Sequence, residues 1–136
     1  MSDAASPDYS YRPDLHIFTV RWPTHERTAT SPADYDALLL LLPETRRTPC
    51  WLFDVRRRPH TDATAAHWVV NDWLPRAAAL TPGPLRLAYL VAPGRAKELD
   101  ADTPLHAVVR PAMAPSPSYV LRYFTDEGAA VRWLLA

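Results

Sequence analysis

The chain has 136 residues, 48% of them hydrophobic and 22% charged, with fifteen basic side chains balanced by fifteen acidic ones. That is the composition of one soluble globular domain, and the absence of net charge excludes a global electrostatic footprint for nucleic acid or an anionic membrane. Apolar runs such as Ala37 to Leu42 are far too short to cross a bilayer.

Residues 1–7 read as a polar tail, and a single domain is expected over residues 8–136. The opening decapeptide MSDAASPDYS has neither the basic region nor the apolar core of a signal peptide. With one cysteine, Cys50, no internal disulfide can form, so a reduced, cytoplasmic protein is expected in which Cys50 is a small buried hydrophobe. Tyr9 to Tyr11 alternates aromatic and small polar residues, giving a first strand over residues 8–12. Arg12-Pro13-Asp14 supplies turn chemistry, and a second strand over residues 15–22 pairs with the first as a hairpin. Its Leu15, Ile17 and Thr19 share one face, and Phe18, Val20 and Trp22 the other. Apolar residues on both faces predict a central position in the sheet.

Ser31-Pro32-Ala33-Asp34 is a helix start: Ser31 can cap, Pro32 suits the first helical position and Asp34 complements the helix dipole. Tyr35, Leu38, Leu39 and Leu42 then form one buried stripe, and the helix is expected over residues 32–46, with Pro43 as a competing stop. A third strand is predicted over residues 49–55, covered on both faces. The second helix, residues 62–79, buries Ala66, Val69, Val70, Trp73 and Ala77, with a kink or break at Pro75. Strands over residues 85–91 and 118–124 and a closing helix over 126–135 complete the pattern. Between them, Arg95 to Leu99 and Leu105 to Val109 suit short helices, and Pro104, Pro111, Pro115 and Pro117 forbid a long one. The order predicts an α/β domain with a mixed five-stranded sheet, antiparallel at the N-terminal hairpin and parallel elsewhere, covered by helices.

The working edge falls at CWLFDVRRRPHTD, residues 50–62, where an apolar strand ends in Asp54 and a helix begins near Asp62. In open α/β sheets ligands dock at such strand ends and helix starts. Arg56, Arg57 and Arg58 could hold a small anion there, phosphate or carboxylate, or one of them could simply pair with Asp54 or Asp62. His60 and His67 flank Asp62, but two imidazoles and one capping carboxylate do not make a metal set, and no Ser or Cys nucleophile stands beside them. His16, His25 and His106 are isolated. Trp51, Trp68, Trp73 and Tyr89 read as core, with Trp68 at the edge of its helix's buried stripe, where a ring can meet a ligand or partner. Three scattered glycines exclude a glycine-rich phosphate loop. No cofactor is implied.

The opening hairpin, the capped helix, the strand ending in Asp54 and the closing YVLRYFTDEGAAVRWLLA together resemble the STAS domain, more narrowly the SpoIIAA-like group of anti-sigma-factor antagonist relatives. In regulatory members a second Asp follows the strand-ending one by eight residues and precedes Ser-Ser-Gly. Asp54 and Asp62 have that spacing, and Thr64 of Ala63-Thr64-Ala65 falls on the phosphorylated position. Arg-Arg-Arg-Pro-His replaces the apolar residues usual between the two, and the Gly is missing. The resemblance implies a non-catalytic regulatory or scaffold module acting by contact with a protein partner or a second copy of itself as a homodimer. The alternatives are a small-ligand carrier, for a lipid or an anion, of SEC14-like outline, and an enzyme acting on an anionic substrate at Arg56–Asp62.

Overall fold

A computed structural model describes residues 8–22, 32–40, 48–57, 63–81, 84–101, 103–114 and 118–136. Five strands, β1 (Asp8–Arg12), β2 (Ile17–Arg21), β3 (Cys50–Asp54), β4 (Leu85–Leu90) and β5 (Tyr119–Phe124), form one sheet in the order β1-β2-β3-β4-β5. The β1–β2 pair is antiparallel and the other pairs are parallel, so the mixed α/β sheet is as the sequence predicts. The helices are α1 (Pro32–Leu39), α2 (Ala63–Trp68), α3 (Leu74–Ala79), α4 (Pro93–Ala101), α5 (Thr103–Met113) and α6 (Glu127–Leu135), with a π-helical turn, Val69–Trp73, joining α2 to α3.

Strand order that advances in one direction, with right-handed crossovers, places every crossing helix on the same face of the sheet. The packing agrees. Phe18, Val20, Trp51, Phe53, Leu85, Leu87 and Leu121 share one core with Tyr35 and Leu38 of α1, Trp73, Leu74 and Ala77 of the second helical stretch, and Val109 and Ala112 of α5. The alternate residues Ile17, Leu52, Ala88 and Leu90 point to the opposite face, where Ala130 and Leu134 of α6 cover them.

The larger core is aromatic and its polar tips are satisfied. The indole N–H of Trp73 donates to the Tyr35 carbonyl at 2.9 Å, and that of Trp51 donates to the Thr48 carbonyl at 2.7 Å. The Tyr35 and Tyr89 hydroxyls meet at 2.7 Å. The Thr48 hydroxyl donates to the His16 carbonyl and accepts from the Cys50 amide, tying the start of β3 to the hairpin turn. The Nε1 of Trp22 is the exception, a buried donor with no partner among the described residues.

Several boundaries differ from expectation, each for a local reason. The second strand starts at Ile17, because Leu15 and His16 belong to the turn and His16 takes a left-handed backbone with φ 57°. Helix α1 ends at Leu39, where the Leu40 amide turns back to the Ala37 carbonyl at 3.2 Å; the rest of the expected span, including Leu42 and Pro43, lies outside the described residues. Pro75 neither breaks nor ends the second helix. The π turn just before it lets the Leu74 amide reach the Val69 carbonyl, and Pro75 then sits at the start of α3, where a missing N–H costs little. Pro93–Ala101 and Thr103–Met113 form two full helices, with Pro111 inside the last turns of α5. Cys50 is half-buried, its thiol donating to the Leu134 carbonyl at 3.3 Å.

Two stability outcomes follow from the aromatic core. Phe53→Ala should lower unfolding free energy by about 3–5 kcal/mol in urea titration, since Phe53 is fully buried among Trp22, Tyr35, Trp51 and Trp73. Trp73→Phe should cost about 1–3 kcal/mol, because it removes both buried ring volume and the indole N–H that donates to the Tyr35 carbonyl. A urea midpoint left unchanged by that substitution would contradict this account of the core's polar tips.

Candidate functional site

The carboxyl ends of β2 and β3 lie side by side, with Arg21 in register with Asp54. The ladder continues one step past the strands, from the Trp22 amide to the Asp54 carbonyl at 2.9 Å and from the Val55 amide to the Leu90 carbonyl at 2.9 Å. Both strands turn their last side chain to the α6 face, since the apolar residues before them, Val20 and Phe53, belong to the opposite one.

Asp54 is nearly enclosed, its side chain only 11% exposed, and four hydrogen bonds converge on its carboxylate. Arg56 supplies three: its backbone amide and Nε reach Oδ1 at 3.1 and 3.0 Å, and its Nη2 reaches Oδ2 at 2.9 Å. The fourth comes from Arg21 Nη1 to Oδ2 at 2.8 Å. Arg21 also grips Glu127, the first residue of α6, through two parallel bonds of 3.2 and 3.0 Å. Arg56 approaches the same carboxylate at 3.7 Å. Two guanidinium groups and two carboxylates thus bind the hairpin, the central strand, the loop after it and the last helix into one network.

The electrostatics follow from that geometry. Burial pushes the Asp54 carboxyl up, but the bonds from Arg56, its amide and Arg21 outweigh burial and hold it below the usual carboxylate range. Arg21 is raised chiefly by its bond to Glu127, and Arg56 chiefly by its bond to Asp54. Burial raises the Cys50 thiol, which Arg86 only partly offsets. Asp126, with an extended backbone, caps α6 by accepting from the Ala129 amide at 2.8 Å, so Glu127 enters the first helical turn already aligned with Arg21.

Around this network opens a cavity of about 540 Å³, lined by Asp8, Arg21, Trp22, Asp54, Arg56, Arg57 and Glu127. A second, of about 420 Å³, lies between α5 and α6 and is largely apolar, with Val91, Met113, Tyr123 and Phe124 in its wall. Among the described residues no cluster of three or more His, Cys, Asp or Glu could hold a metal ion, and no helix is long and apolar enough to cross a membrane.

Of the sequence-predicted site residues, Asp54, Arg56 and Arg57 line the first cavity. Arg56 is committed to Asp54, while Arg57 is exposed with no ion-pair partner among the described residues. Arg58, His60 and Asp62 lie outside the described residues. Thr64 is exposed in the first turn of α2. Trp68 is half-buried on the helical face, edge-on to Tyr35 at 6.0 Å and beneath the Arg76 guanidinium at 5.8 Å. It is not part of the Asp54 cavity. The sequence reading missed Arg21 and Glu127. Arg21 is visible as the charged residue closing an apolar strand, as Asp54 closes its neighbour; Glu127 carries no comparable signal beyond its place at the start of the closing helix.

Comparison of the chain with protein-family models, with curated proteins and with solved structures returned no match.

Because Asp54 is depressed in the folded state, its contribution is present above the unfolded carboxylate pKa and is lost as pH falls through the lower folded value. Asp54→Asn should therefore destabilise by about 1–3 kcal/mol at neutral pH. The gap to wild type should close as pH drops below about 4. Urea midpoints measured across that range check it; a gap that persists unchanged in acid would show that the carboxylate charge is not what the two arginines hold.

Proposed function

We propose that the chain is a non-catalytic regulatory or scaffold module of the STAS, SpoIIAA-like kind, which meets a protein partner at the carboxyl edge of its sheet. The observation that carries the reading is the saturation of Asp54. A general base needs free lone pairs and a pKa near the working pH. Asp54 has four donors on its carboxylate and a lowered pKa. The thiolate, not the thiol, is the nucleophile of cysteine, and burial favours the protonated form of Cys50. What the edge does offer is a braced surface with a cation, Arg57, that is exposed beside the cavity and in no ion pair among the described residues. The hairpin, the strand ending in Asp54 and the capped closing helix supply the element order that the resemblance implies.

A second reading, the small-ligand carrier, is favoured by the apolar cavity between α5 and α6, whose volume suits a small molecule. Native mass spectrometry of the purified chain separates the two, since a stoichiometric small molecule retained by the protein would favour the carrier. For the contact reading, Arg57→Ala should weaken capture of the partner from source-cell lysate by roughly tenfold without moving the urea midpoint. Undiminished capture by that variant would overturn the assignment of the surface. Thr64→Asp in the same assay tests a phosphate-like charge beside it; unchanged capture would make Thr64 an ordinary first-turn threonine.

A further inference from the structure

Strand β1 is one edge of the sheet, with β2 on one side and, among the described residues, no strand on the other. The Arg12 carbonyl faces the hairpin turn, where it accepts from the Leu15 and His16 amides at 3.1 and 2.7 Å. Backbone polar groups alternate sides along an antiparallel strand, each residue turning its N–H and C=O the same way. Asp8 and Ser10 therefore turn theirs toward β2 as Arg12 does, and Tyr9 and Tyr11 present theirs outward. Such an edge is a template for another strand.

The side chains specify which strand. Asp8-Tyr9-Ser10-Tyr11-Arg12 has opposite charges at its ends, tyrosines inside them and serine at its centre. Two copies laid antiparallel about a two-fold axis at Ser10 oppose Tyr9 to the second copy's Tyr11, and Asp8 to the second copy's Arg12. The outward groups of Tyr9 and Tyr11 then exchange hydrogen bonds with their counterparts. A two-fold normal to the sheet keeps each face continuous. The tyrosines therefore meet on the aromatic face, where Tyr9 is 55% exposed beside Phe18, and the charges meet on the other.

On the charged face the pairing completes a row already present. Asp8, Arg21 and Asp54 stand in register across three strands with alternating sign. Arg21 is engaged by Asp54 and Glu127, whereas Asp8 at the outer end is in no ion pair among the described residues. The second copy's Arg12 extends the alternation by one step, to Arg12–Asp8–Arg21–Asp54. Among the described residues Arg12 is held in its own chain by Asp14 alone, both more than half exposed. Exposed pairs of this kind are worth little, so sharing Arg12 with Asp8 costs little. Zero net charge leaves no long-range repulsion between copies.

We propose that β1 is a self-complementary edge through which two copies of this chain pair about Ser10, joining their sheets into one and placing the second copy's Arg12 at the mouth of the Asp54 cavity. The inference is independent of the partner reading above.

Sedimentation velocity over a concentration series tests it. The wild-type chain should show a reversible monomer–dimer equilibrium. Asp8→Arg and Arg12→Asp should each weaken the dimer by about tenfold, since each opposes like charges twice across the axis. Mixed in equal amounts, the two variants should recover wild-type association, because every contact between them is again of opposite sign. Tyr9→Pro should abolish pairing while the chain still unfolds cooperatively in urea, as the N–H it removes points outward and the ring it removes is more than half exposed. A wild-type chain that stays monomeric throughout, a dimer indifferent to these substitutions, or a mixture that fails to recover would each overturn the proposal.

Discussion

A charge buried at the end of a central strand has to be met where it lies, and in this protein the carboxylate of Asp54 imposes that condition on two other segments. Arg56 meets it through the chain's immediate turn, a local solution that needs only two residues of sequence separation. Arg21 meets it from the neighbouring strand and can do so only if β2 and β3 pair in their observed register. A slip of one residue would send Arg21 to the aromatic face and leave Asp54 with one partner fewer. The ion pair therefore reports register, and its geometric selectivity outweighs its direct stabilisation, which solvent at the half-exposed guanidiniums reduces.

The same network determines where the last helix begins. Glu127 reaches Arg21 only because Asp126 caps the helix and starts its first turn at that residue. Leu134 and Ala130 then fall on Leu52, Ala88 and Leu90. At the far end of α6 the Trp133 ring lies 4.6 Å from the Arg86 guanidinium and 5.7 Å from that of Arg122. Helix α6 is thus anchored by charge at its start, by apolar contact in its middle and by stacked cations at its end. The opposite face is built differently, from tryptophans and tyrosines: the indoles of Trp51 and Trp73 donate to backbone carbonyls and the Tyr35 and Tyr89 hydroxyls bond each other.

The fold was legible because its elements repeat apolar residues at the period of their own structure and are separated by turn chemistry. Leu85 to Leu90 and Tyr119 to Phe124 needed only their apolar runs and flanking prolines. The errors arose where tertiary context decides. No local rule shows that a π turn will absorb Pro75, or that Pro111 can sit within α5 near its end, where few following amides depend on the broken pattern. His16 in a left-handed turn is likewise a demand of the hairpin geometry, which histidine tolerates better than most side chains do. At the site, Asp54 and Arg56 were visible as neighbours in sequence. Arg21 and Glu127, separated by 106 positions, become neighbours only once the sheet is ordered and α6 folds beneath it.

What the carboxyl edge presents to a partner depends on how completely its charges cancel. The cavity wall carries Arg21, Arg56 and Arg57 against Asp8, Asp54 and Glu127, so its long-range field is weak although its local charge density is high. Steering of a partner from a distance is therefore weak, and discrimination belongs to short-range fit, where an ionised group left unmatched is costly. Within that balanced wall the inner charges are already spent on one another. The two at its margins, Arg57 and Asp8, are in no ion pair among the described residues, and they lie on different parts of the rim: one on the loop leaving β3, the other on the edge strand of the sheet. Contact with a foreign protein through the first is thus structurally compatible with contact between copies through the second, because neither needs to break the bonds that hold Asp54.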